Sequence, residues 1–200
     1  MRIATISGTA SEVGKTTLLC ALLERLPGWA AIKVTRGHYR SCGRDPDTCC
    51  VSHLLGEEPR IFSDRETTDV RGKDTGRYWE AGAAAVRWVV AASGQEIEGL
   101  RRALADLNGV PGVLVEGNRI VRGCRPDLAI MVASPGQREV KATARRILGQ
   151  VDALYVPDAD AVGASPESMA AALVGTSAIG LVWGPDDLDA IAERVATPGA

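Results

Sequence analysis

A chain of 200 residues, 46% of them hydrophobic and 24% charged, is long enough for one α/β domain with a full core and too short for two ordinary ones. A formal net charge of −2 supplies no global basic field, so no nucleic-acid partner is expected, and no stretch approaches the roughly eighteen uninterrupted apolar residues of a membrane span. Without a charged-then-apolar leader the expected compartment is the cytoplasm, where the five cysteines stay reduced; their odd number and clustering also argue against a disulfide framework.

Residues 2–7 (RIATIS) form a short apolar run ending at Gly8 and predict a buried parallel strand. Beyond a glycine-rich turn, Leu18, Leu19, Leu22, Leu23 and Leu26 recur at helical spacing until Pro27-Gly28 stops the helix. Residues 30–34 (AAIKV) predict a second strand. Residues 36–73 read as a long loop insertion containing cysteine and histidine, with one short strand at 60–63; loops of this length within a compact domain are usually functional or mobile. Regular alternation then returns, with helices predicted at 74–83, 95–107, 140–148, 166–173 and 186–195, and strands at 85–91, 112–116, 127–132, 153–157 and 178–182. Strands separated repeatedly by helices imply an α/β fold over residues 1–200: one domain, a mostly parallel sheet and helices on both faces in three layers.

The first strand, the run Gly8, Thr9, Ala10, Ser11, Glu12, Val13, Gly14, Lys15, Thr16, Thr17 and the helix after it form the context of a phosphate-binding loop. Backbone N–H groups of such a loop converge on phosphate oxygens, and the helix dipole adds favourable potential. Lys15 is expected at the β and γ phosphates of ATP or GTP, the Thr16 hydroxyl on Mg2+, and Thr17 at the α phosphate. No Asn-Lys-x-Asp run is present to select guanine, so the base stays open.

Three further positions suit this chemistry. Lys33, near the end of the second predicted strand, lies where open α/β sheets place ligand-binding groups; it would contact the γ phosphate or an anionic substrate, or else snorkel from the strand end. Glu116 ends the run Val-Leu-Val-Glu and offers a carboxylate for Mg2+ or its water, against the simpler reading of a solvated strand-end charge. Asp74 starts a helix, where it either caps N–H groups or joins the Mg2+ shell opposite Thr16, and Arg77 one turn on either stabilises γ-phosphate charge or pairs with Glu80. Lys15, Glu116, Asp74 and Arg77 are therefore the catalytic candidates.

The loop resembles that of dethiobiotin synthetase, because Gly8 and Gly14 enclose five residues and Glu12 matches that family's acidic position. Glu116-Gly117 is similar to its metal-associated Val-Glu-Gly. That resemblance implies an ATP-dependent ligase acting on a small anionic metabolite. Residues 72–83 (GKDTGRYWEAGA) resemble a Lys-Asp-Ser-x-Arg-x-x-x-Ala-Gly-Ala stretch of molybdopterin-guanine dinucleotide biosynthesis protein B, as does Ile32-Lys33-Val34 followed by Thr and His. This second resemblance, the closer one overall, implies GTP binding with slow hydrolysis and an accessory role beside a partner enzyme in molybdenum cofactor biosynthesis, with a pterin cofactor as a further ligand. Such folds often form homodimers.

Both histidines and three of the five cysteines fall between His38 and His53. His38, Cys42, Cys49, Cys50 and His53 could wrap Zn2+ or another thiophilic metal, with Cys124 recruited if one of the adjacent pair is left out. That would make a metal-handling NTPase chaperone. The other reading is reduced, partly packed thiols beside a substrate-touching histidine loop. Arg119, Arg122 and Arg125 follow Glu116, and Arg36, Arg40 and Arg44 open the long loop. If both segments lie beside the nucleotide, they form a cationic rim for a phosphate or pterin phosphate.

Overall fold

The computed structural model describes residues 1–37, 51–134, 140–157 and 181–197, together with Ser168 and Ala171. Among these described residues, eight strands form one sheet: β1 (Arg2–Gly8), β2 (Ala30–Arg36), β3 (Arg60–Phe62), β4 (Val86–Ala91), β5 (Gly112–Glu116), β6 (Leu128–Val132), β7 (Ala153–Tyr155) and β8 (Leu181–Trp183). Their spatial order is β3-β4-β2-β5-β1-β6-β7-β8. Every pairing is parallel except that of β3 with β4, so the antiparallel strand sits at an edge. The helices are α1 (Lys15–Leu23), α2 (Arg65–Thr68), α3 (Asp74–Glu80), α4 (Glu96–Ala105), α5 (Val121–Cys124), α6 (Ala142–Arg145) and α7 (Leu188–Ala196).

Period-two alternation explains the layers. On β5, Leu114 joins the core formed with Leu18, Leu22, Tyr78 and Ile191 of α1, α3 and α7, whereas Val113 and Val115 join Leu100 and Ala103 of α4 on the other face. A third cluster packs Val121, Ala144 and Ile147 against Ala129, Met131 and Leu154. Each fully buried leucine or isoleucine contributes about 1.5–3 kcal/mol, which is why central strands apolar on both faces sit under helices on both sides.

The same alternation places the polar strand ends. Lys33 and Glu116 are register partners across β2 and β5 and share the face of α1 and α3, while Val34 and Arg36 belong to the face of α4. Ligand-binding groups of open α/β sheets gather at this carboxyl edge.

Several expectations need adjusting. The helix expected at 140–148 is one turn of α6 followed by a 3-10 turn at Leu148–Gln150, and the stretch read as loop contains α2 and a 3-10 turn at Ser52–Leu54. Short elements of three or four residues carry too little periodicity to be read from sequence. The turn after Glu116 likewise contains α5. Apart from Ser168 and Ala171, the helix expected at 166–173 lies outside the described residues, as does the part of the strand expected at 178–182 that precedes Leu181. Among the described residues, no helix is long and apolar enough to cross a membrane.

Candidate functional site

β1 delivers the chain into a turn whose backbone takes φ 60° at Glu12 and 96° at Gly14 before α1 begins at Lys15. Gly14 supplies the left-handed conformation at little cost, and a Cβ on Gly8 would come within 2.7 Å of the Val13 side chain and 2.9 Å of the Lys15 stem. Gly14, as the N-terminal cap, has no side chain to bond the first-turn N–H groups of α1, and that turn contains no acidic residue. The positive end of the helix therefore faces the turn without a side-chain counter-charge of its own.

Tethers from three segments hold the loop. Thr9 N–H donates to Val132 O at 2.9 Å and Lys141 N–H donates to Thr9 O at 2.8 Å. Asn118 brackets Gly8, accepting its N–H at 2.9 Å and donating to its carbonyl at 2.8 Å. Thr9, Ala10 and Val13 are buried in the core, so their side chains pack; Ser11, Glu12, Gly14, Lys15, Thr16 and Thr17 line a cavity of about 460 Å3. Lys33, Asp74, Arg77 and Glu116 complete its lining.

Within that cavity three oxygens converge. The Thr16 hydroxyl lies 3.0 Å from Asp74 Oδ1 and 2.9 Å from Glu116 Oε2. It has one hydrogen to give, and Glu116 Oε2 already accepts the Tyr78 hydroxyl at 2.5 Å. The Lys33 ammonium bridges the two carboxylates, meeting Asp74 Oδ2 at 2.6 Å and Glu116 Oε1 through a short contact. Glu116 is 2% exposed, and a buried carboxylate needs compensation of this kind. A hydroxyl within 3.0 Å of two carboxylates offers the all-oxygen donor set that a hard divalent cation such as Mg2+ prefers.

The electrostatics follow from burial and neighbours. Burial pushes the Lys33 ammonium down, but Glu116 and Asp74 outweigh it and the net shift is upward. Burial pushes the Asp74 carboxyl up, yet Lys33, the Thr16 hydroxyl and Arg77 together outweigh it and Asp74 stays below the usual carboxylate range. Lys15 is lowered, because burial exceeds the attraction of Glu116; its ammonium donates to Ala10 O at 3.0 Å. Burial, then Glu116, hold the Tyr78 phenol well above its ordinary value. Arg77 reaches Thr17 Oγ1 at 3.3 Å.

The fold thus brings together Lys15, Thr16, Thr17, Lys33, Asp74, Arg77 and Glu116. His38, Cys42, Cys49, Cys50, Arg40 and Arg44 lie outside the described residues. His53 is exposed in the Ser52–Leu54 turn, and among the described residues no group of three or more histidine, cysteine, aspartate or glutamate side chains is arranged to hold a metal ion. Cys20 and Cys124 are half-buried, with burial pushing each thiol up to about 11, so both are protonated at neutral pH. Sequence reasoning missed Tyr78, Asn118 and Lys141. Tyr78 lies four residues after Asp74 and so on the same helix face, a readable signal, whereas nothing local to Asn118 or Lys141 points to the loop each one tethers.

No family model and no curated protein matches the chain. Among solved structures, HypB from Helicobacter pylori in complex with nickel superposes with a TM-score of 0.53 at 12% identity, over 96% of this chain and 84% of that one. The signal recognition particle receptor FtsY from Elizabethkingia anophelis gives a TM-score of 0.46 at 13% identity, over 98% of this chain and 65% of its own length. The mostly parallel sheet, its helical layers and the HypB superposition give this chain the three-layer P-loop NTPase fold.

Proposed function

We propose that this chain, with its P-loop NTPase fold, binds ATP or GTP together with Mg2+ at the turn between β1 and α1 and hydrolyses it slowly. The observation that carries the reading is the approach of Asp74 and Glu116 to within 3.0 Å of the Thr16 hydroxyl, beside Lys15 at a helix N-terminus without a side-chain cap. First-turn N–H groups and Lys15 would bind the phosphates, and Thr16, Asp74 and Glu116 are the residues that would hold Mg2+, which when bound would supply positive charge to the phosphates. Glu116, fixed by Tyr78 and Lys33, orients a water molecule, and Arg77 adds positive charge at the rim. The contribution of these groups is electrostatic preorganisation.

Calorimetric titration of ATP and GTP, with and without Mg2+, tests this. Lys15→Ala removes a charge-assisted contact of about 1.5–3 kcal/mol, so affinity falls about 10- to 100-fold. Asp74→Asn keeps metal-free binding but loses the gain that Mg2+ gives. Unchanged titration of the Lys15→Ala variant would falsify the assignment.

The finer role we propose is that of an accessory protein in molybdenum cofactor biosynthesis, which is supported by residues 72–83 and by the place of Asp74 and Arg77 from that segment at the cavity. A second reading, a ligase resembling dethiobiotin synthetase, is favoured by a neighbouring cavity of about 410 Å3 that shares Lys33 and Asp74 and adds Trp88 and Val51. There the anion of a small metabolite would sit on Lys33. Nucleotide turnover triggered by a partner protein supports the first, and turnover triggered by a metabolite supports the second. A metal-handling role rests on the Cys42, Cys49, Cys50, His38 and His53 cluster; HypB, described in complex with nickel, parallels it. Elemental analysis of protein purified without tag or chelator tests that role.

A further inference from the structure

The carboxyl edge of the sheet carries a second polar cavity, on the face opposite the Thr16 cluster. Alternation along β2 sends Lys33 to one face and Arg36 to the other. Arg36 shares a cavity of about 310 Å3 with Glu96, Asn118, Arg119 and Lys141. A second cavity of about 310 Å3, containing Arg122 and Arg146, shares Glu96, Arg119 and Thr143 with the first, so the two form one cleft. None of its lining residues lines the Thr16 cavity.

The charge balance of the cleft is one-sided. Among the described residues it is lined by Arg36, Arg119, Arg122, Lys141 and Arg146 against a single carboxylate, Glu96. Glu96 is 5% exposed; one oxygen accepts Gly94 N–H at 2.7 Å, while the other stands 3.5 Å from Arg119 Nη1 and receives no hydrogen bond. Glu96 therefore faces Arg119 and is the one carboxylate among the described lining residues. Burial first, then the facing Arg119 guanidinium, push Arg36 below its ordinary range. Arg122 and Arg146 form no ion pair among the described residues. A fold that gathers five cations from three segments around one anion offsets their mutual repulsion when an anionic ligand is present.

We infer that this cleft is a second ligand site, for a small molecule carrying two or more phosphate or carboxylate groups. Two joined concavities suit a compact metabolite, with one anionic group between Arg36, Arg119 and Lys141 and another toward Arg122 and Arg146. A nucleic-acid strand would call for a broad basic surface, and the chain as a whole is formally −2. The site is wired to the phosphate-binding turn: Lys141 Nζ donates to Ser11 Oγ at 2.6 Å and Asn118 brackets Gly8. An anion that draws Lys141 away from Ser11 changes the affinity of the turn for its own ligand, and the reverse holds by linkage.

The test is calorimetric titration of inorganic pyrophosphate, at low salt without Mg2+, into wild type, Lys15→Ala and the double variant Arg36→Ala/Arg119→Ala, with urea unfolding to confirm each fold. Lys15→Ala should retain one pyrophosphate site. The arginine double variant should bind pyrophosphate there at least about tenfold more weakly while still binding a purine triphosphate with Mg2+ at the turn. If that variant does not fold, Arg122→Ala/Arg146→Ala is read in its place. Pyrophosphate binding that disappears in Lys15→Ala and is unchanged in the arginine variants overturns the inference. So does a short single-stranded oligonucleotide that outcompetes pyrophosphate through the same arginines. Loss of triphosphate binding in wild type would instead refute the proposed function and leave the second site standing.

Discussion

Tyr78→Phe removes one oxygen from the interior and isolates the support of Glu116. The Tyr78 side chain is completely buried, and its hydroxyl donates at 2.5 Å to a carboxylate that is 2% exposed. A hydrogen bond to a charged group contributes about 1.5–3 kcal/mol. Lys33 and Thr16 still hold the carboxylate after the change, so the loss falls in the lower half of that range, about 1.5–2 kcal/mol. In a chain of this length 1 kcal/mol moves Tm by about 2–4 °C, so the variant should melt about 3–8 °C lower. Because the folded phenol titrates well above its ordinary value, this contribution is complete below the unfolded tyrosine pKa and fades only as pH rises beyond it. The deficit should therefore be constant between about pH 6 and about pH 9. Calorimetric melting and urea unfolding measure the loss, and titration of triphosphate with Mg2+ should show weaker metal-dependent binding because Glu116 is no longer fixed from behind. A variant melting within about 1 °C of wild type would refute the view that this hydroxyl supports the site.

Asn118→Ala removes two hydrogen bonds to Gly8, each about 0.5–1.5 kcal/mol, so it should lower the urea midpoint and weaken triphosphate binding together. An unaltered affinity would show that the tether is not needed to shape the turn. Gly14→Ala forces a side chain into φ 96° at about 1–2 kcal/mol and should also impair nucleotide binding, whereas Gly109→Ala, at φ 79° with no atom within 4 Å of the new Cβ, should cost similar stability and leave binding intact. Asp74 titrates below its unfolded value, so its contribution is present above the ordinary carboxylate range and lost as pH falls through the folded value. Urea unfolding from about pH 6 to about pH 3 should therefore show a steeper acid loss in wild type than in Asp74→Asn; equal slopes would contradict the Lys33 pairing.

Local physics made much of this molecule legible in its sequence. The run 2–7, the glycine at 14 and the leucines from Leu18 to Leu23 specify strand, left-handed turn and helix through steric limits and apolar spacing that act within a few residues, although the helix stops at Leu23, short of Leu26 and of the Pro27-Gly28 expected to end it. The limits of β5 at Gly112–Glu116 follow in the same way from a continuous apolar run. Residue type, together with place in the glycine loop, at a strand end or at a helix start, marked Lys15, Thr16, Lys33, Asp74 and Glu116 as groups suited to phosphate and metal. Tertiary structure alone decided their meeting: the Thr16 hydroxyl is 58 residues from Asp74 and 100 from Glu116, and Lys33 is 83 from Glu116. Those distances close because β5 pairs between β1 and β2, an order fixed by how crossover helices pack on both faces rather than by any single segment. The tethering of Gly8 by Asn118, the support of Glu116 by Tyr78 and the gathering of arginines opposite the Thr16 cluster have the same origin. Spacing along the chain sets which face a side chain takes, and the packing of layers sets what it meets there.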